Sequence, residues 1–126
     1  MTAFFIAPYE PLTWASTSSD LKIDPDWYKH QLLQSWPNIE FFQSATQYYV
    51  LSWRFPPTVK GAGVLAGLQE NLQVVSMSAP FEAYILWHRS VISEKYALYL
   101  FNDSSTDSLE LTSRLTVQDV KQFVGR

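Results

Sequence analysis

The clearest pattern in the chain lies between Pro80 and Asn102, where a helical period gives way to an unbroken apolar run. Phe81, Tyr84, Ile85, His88, Val91 and Ile92 recur at i, i+3, i+4, i+7, i+10 and i+11, one stripe of a 3.6-residue period. Pro80 suits a first turn, where a missing N–H costs nothing, and Glu82 follows near the positive end of the helix dipole. Ala83, Leu86 and Trp87 widen the apolar stripe, so the helix over 81–92 is expected to be the most buried one, or to face a partner. Ser93, Glu94 and Lys95 join it to residues 96–101, apolar at odd and even positions alike. That is the pattern of a strand covered on both faces, and it predicts a central place in a sheet.

A second helix is predicted from Pro25 to Trp36. Asp24 stands at its N-cap, Pro25 at its first position and Asp26 in its first turn, and Pro37 stops it. Its inward face reads Tyr28, Leu32, Leu33 and Trp36, with Trp27 and His30 opposite. From Ile39 the period falls to two. Ile39 and Phe41 alternate around Glu40, Ser44 and Ala45 supply a turn, and a strand over 48–55 follows. Alternation there assigns Tyr49, Leu51, Trp53 and Phe55 to the core and Tyr48, Val50, Ser52 and Arg54 to the other side. Runs over 64–69 and 72–77, joined near Glu70 and Asn71, complete a three-stranded antiparallel meander.

Residues 3–7, stopped by Pro8 and Pro11, read as an edge strand or an extended arm. Residues 16–20 are a polar loop. A polar turn over 103–107 leads to a hairpin strand at 109–111. Thr116, with Asp119 three residues on, forms an imperfect capping box for a closing helix whose stripe is Val117, Val120, Phe123 and Val124. These elements predict one α+β domain over 1–126, a mainly antiparallel sheet of about five to seven strands with two or three packed helices. At 126 residues the chain is long enough for a single core.

Composition adds a clue about surfaces. The chain is 16% aromatic and only 17% charged, against a typical ~25% charged, so some aromatic surface is expected to be left for a partner. A net charge of −3 without a Lys/Arg cluster argues against nucleic-acid binding, whose affinity comes largely from phosphate neutralisation. The chain has no cysteine, which excludes disulfides, thiolate metal sites and thiol nucleophiles. No apolar run approaches a membrane span, and residues 1–8 lack the features of a signal peptide. The expectation is a soluble cytoplasmic protein, not associated with a membrane.

The chemical motifs resolve into structural roles. His30 and His88 lack the i, i+4 spacing of a helical zinc motif. Helix capping accounts for Asp24 and Asp26. Asp103, Ser105 and Asp107 imitate the start of a calcium loop, yet its sixth position is Ser108 and its twelfth Arg114. Lys60 with Gly61, Gly63 and Gly67 matches no phosphate-binding fingerprint. Neither a catalytic residue, a metal site nor a cofactor is therefore predicted, and the chain leans away from being an enzyme.

The leading expectation is a non-catalytic module that binds a protein partner or itself through aromatic surface, with contact residues Trp27, Tyr48, Arg54, Trp87, His88 and Arg89. The alternative is a small-molecule-binding domain or modest enzyme with an aromatic-lined pocket. There His88 serves as acid/base and Arg89 or Arg54 anchors an anion. Against that stands the plain reading of His88 as a core histidine held neutral by burial.

Overall fold

The computed structural model describes residues 3–10, 20–43, 49–56, 63–69, 73–103 and 107–125. Ten elements follow in order: β1 (Phe4–Ala7), α1 (Pro25–Ser35), β2 (Glu40–Phe42), β3 (Tyr49–Arg54), β4 (Leu65–Gln69), β5 (Val75–Met77), α2 (Glu82–Val91), β6 (Tyr99–Asn102), β7 (Ser108–Glu110) and α3 (Val117–Val124). The seven strands form one sheet in the order β2-β3-β4-β5-β1-β6-β7, antiparallel at every pairing. The protein is therefore α+β, a sheet with three helices, and no helix among the described residues is long and apolar enough to cross a membrane.

β2 to β5 make a four-stranded meander, one strand more than the pattern over 48–77 predicts. The larger difference concerns β1, which is neither an edge strand nor an arm: it lies between β5 and β6, with Ile6 and Ala7 fully buried. Pro8 does not prevent this because the pairing of β1 ends at Ala7, opposite Tyr99, so no ladder hydrogen bond is lost. β6 lies one strand in from the β7 edge and begins at Tyr99, three residues later than the apolar run at 96–101 suggests.

The pleat sorts the sheet into two faces. Trp53, Ala66, Met77 and Phe4 lie in register on one of them, next to the row Leu68, Val75, Ile6 and Leu100. These side chains share a single core with Tyr28 and Leu32 of α1, Phe81, Tyr84 and Ile85 of α2, and Val120 and Phe123 of α3. All three helices thus pack on the same face. On the opposite face, Ala7, Tyr9 and Val74 form a smaller cluster with Phe5 and Phe101, whose rings stack at 5.5 Å.

Local chemistry sets the helix ends. At α3 the capping box is complete: Thr116 Oγ1 accepts from Asp119 N at 3.2 Å, and Asp119 Oδ2 accepts from Thr116 N at 2.9 Å. α1 has Asp24 at its N-cap position without a side-chain cap bond, and Pro25 at its first helical position. α2 is capped by Phe81, so Pro80 precedes the helix rather than lying in its first turn.

A register shift in β3 changes what the sheet displays. Tyr49 pairs with Gln69 but Leu51 pairs with Leu68, so one extra residue is accommodated between them. Strict alternation would send Tyr49 to the core with Leu51 and Trp53. The bulge instead turns it to the face of Ser52 and Gly67, where its hydroxyl accepts a 3.0 Å hydrogen bond from Ser76 Oγ.

Candidate functional site

The six residues singled out as contacts do not converge. Trp27 stands on α1 with 40% of its surface exposed. Trp87 is half-buried, its ring against those of Tyr28, Trp36 and Tyr84 at 5.3, 5.4 and 5.7 Å. Arg54 is exposed on the helix-free face, where it meets Glu40 at 3.9 Å, an exposed ion pair of the kind that contributes little. Tyr48 lies outside the described residues.

His88 and Arg89 are in the interior, which removes them from any contact surface. His88 is 1% exposed. Its Nδ1 lies 2.6 Å from Tyr28 Oη, which in turn lies 2.6 Å from Tyr84 Oη. If Tyr84 donates to Tyr28 and Tyr28 to His88, each hydroxyl hydrogen is used once, and the Nδ1 lone pair of a neutral imidazole is required. Burial, assisted by the nearby Arg89 charge, pushes the His88 pKa down to about 3. Burial likewise raises both tyrosine pKa values. The triad is a closed polar network that ties α1 to α2.

Arg89 is a clamp rather than an anion anchor. Its Nη1 donates to Tyr96 O at 2.9 Å and Leu111 O at 3.4 Å, and its Nη2 to Ile92 O at 3.0 Å and Ser93 O at 2.7 Å. One guanidinium thus joins the end of α2, the turn that follows it and the segment after β7. Burial lowers the Arg89 pKa, an effect opposed by Glu94 and Glu110.

One concave feature among the described residues lies on the helix-free face. A cleft of about 390 Å³ opens over β4, with Gly67 in its floor. Phe5, Phe42 and Leu65 supply apolar walls, and Tyr49, Ser52, Ser76 and Ser78 supply hydroxyls. Among the described residues no charged side chain lines it. Phe42 is 46% and Leu65 39% exposed. The floor is shaped by a single absence: a Cβ at Gly67 would come within 2.7 Å of Tyr49 Cδ1, so only glycine lets the tyrosine ring lie where it does. Ser52 is 94% buried in this wall, being 6% exposed, and its hydroxyl has no hydrogen-bond partner among the described residues.

Sequence reasoning misses this cleft because its residues come from five strands. Phe42, Ser52, Gly67, Ser76 and Phe5 form one transverse row, visible only once the strand order and register are known. The outward position of Ser52 was the part within reach of simple alternation. Among the described residues no group of three His, Asp or Glu side chains is placed to hold a metal ion. Comparison with known proteins adds no relative: no family model, no curated protein and no solved structure matches the chain.

Proposed function

We propose that the protein is a non-catalytic binding module whose recognition surface is the helix-free face of its sheet, centred on the cleft over Gly67. The observation that supports this reading is the cleft itself: an apolar concavity bordered by Phe42 and Leu65, two large side chains left in solvent. Covering such surface is worth about 25 cal/mol per Å², so a partner that fills the cleft gains without any charged contact. The reading moves the binding surface from the helix side of the fold, where Trp27 is the exposed aromatic, to the opposite face. A cytoplasmic setting belongs to the same proposal and accords with a chain devoid of cysteine.

Native mass spectrometry of gently purified protein tests it, since one spectrum reports both subunit count and retained mass. The wild type is expected to carry a bound molecule or a second chain, Leu65→Glu to lose it, and Trp27→Ala to keep it. A bare monomer for the wild type, or a complex lost with Trp27→Ala and indifferent to Leu65→Glu, overturns the reading.

A further inference from the structure

The hydroxyls of the cleft narrow down what it can hold. Ser76 Oγ donates to Tyr49 Oη, so the tyrosine's own hydrogen remains for another acceptor. Ser52, 94% buried, has neither a donor nor an acceptor partner among the described residues. Its hydroxyl is not one of the buried atoms that lack a partner, so it stays open to the cleft and available to a ligand. The two hydroxyls share the wall of one cleft whose remaining surface is mostly Phe5, Phe42, Leu65 and alanine and methionine carbon. Among the described residues no charged side chain lines the cleft to pair with a charged ligand. At the ~30 Å³ that a water molecule occupies in the liquid, about 390 Å³ accommodates only about a dozen heavy atoms.

We propose that this cleft is a site for a small neutral molecule with a flat apolar body and one hydroxyl or carbonyl group. The body lies between Phe42 and Leu65, and the oxygen reaches Ser52 and Tyr49. The assignment rests on the reading of the helix-free face as the binding surface and adds the class of ligand. The β3 bulge creates the site by bringing Tyr49 to this face, and Gly67 admits its ring.

The test uses the full chain, ¹⁵N-labelled, titrated with 2-naphthol, naphthalene and naphthalene-2-sulfonate while amide shifts are followed. 2-Naphthol is expected to give saturable 1:1 shifts centred on Ser52, Gly67 and Ser76. Loss of one hydrogen bond should make naphthalene, or 2-naphthol with Ser52→Ala, bind about 3- to 10-fold more weakly. The sulfonate and Leu65→Glu should show no saturable binding, and Trp27→Ala should bind as the wild type does. Equal affinity for the sulfonate, shifts that map to α1, or unchanged binding by Ser52→Ala overturns the proposal. If 2-naphthol fails to bind while sedimentation shows a self-association that Leu65→Glu abolishes, the ligand class falls and the face survives with a second copy as its occupant. Absence of both takes down the two readings together.

Discussion

Tyr28 Oη lies 2.6 Å from His88 Nδ1, a contact across 60 residues of sequence that closes the polar centre of an otherwise aromatic interior. Around it Tyr28 packs against Trp53 at 5.8 Å and Trp87 at 5.3 Å, and Tyr84 against Phe55 at 5.3 Å. Aromatic bulk supplies the burial here, and the hydroxyl–imidazole network fixes how α1 and α2 sit against each other.

Acid should therefore loosen the fold through His88. Its pKa is about 3 in the folded protein against 6.5 when exposed, so between these values the unfolded chain binds the extra proton. Stability contributed by the neutral imidazole is present above pH 6.5 and is lost as pH falls towards 3, at up to ~1.4 kcal/mol per unit. Urea denaturation at pH 7 and pH 5 is expected to differ by about 2 kcal/mol from this group. His88→Gln should be less stable at pH 7 and show a distinctly flatter slope. An equal slope in the variant would shift the dependence to other groups.

Tyr28→Phe removes the hydroxyl at the centre of the network and leaves both Tyr84 Oη and His88 Nδ1 without it. The expected loss is about 1–3 kcal/mol for buried polar groups left unpaired, read as a lower Tm. Tyr84→Phe should cost less, because the Tyr28–His88 bond survives. The reverse order would mean that Tyr84, not Tyr28, is the hub.

Arg89 touches four carbonyl oxygens on three segments, and its replacement tests the clamp. Arg89→Met takes the guanidinium from Tyr96 O, Leu111 O and Ile92 O, while Ser93 O keeps its bond from Tyr96 N, and should cost about 2–4 kcal/mol, given ~1–3 kcal/mol for each buried group left unpaired. Arg89→Lys should recover little of it, because an ammonium cannot span the fork of contacts that a guanidinium makes. Denaturation midpoints of the two variants decide this. A fully stable Arg89→Met protein would mean that the four carbonyl contacts contribute nothing to stability.

What was legible in the sequence is what depends on neighbours along the chain. The stripe from Phe81 to Ile92 matches α2 to within one residue at each end, and the Thr116–Asp119 spacing marks a capping box that the structure completes. His88 stood within an apolar stripe, so its burial could be read, but its partner Tyr28 lies on another helix and could not. Leu33 was assigned to the inward face of α1, yet Tyr28, Leu32 and Trp36, four residues apart, carry that face and leave Leu33 exposed. The place of β1 depends on pairings across about 70 and 95 residues, which local pattern does not encode. The cleft was hidden for the same reason, compounded by a bulge that reverses the facing of Tyr49.

The bulge and Gly67 form one device, and a double-mutant cycle can separate its parts. Gly67→Ala alone sets a Cβ 2.7 Å from Tyr49 Cδ1, so the ring or the strand must move, at an expected cost of about 1–3 kcal/mol. Tyr49→Ser alone loses the packing of a half-buried ring and its bond with Ser76. With the ring gone the new methyl meets no obstacle, so the double variant should be about as stable as Tyr49→Ser, with a coupling of about 1–3 kcal/mol between the two positions. Additive losses in urea denaturation would mean that the ring does not lie over Gly67, and the floor of the cleft would then be open strand rather than tyrosine.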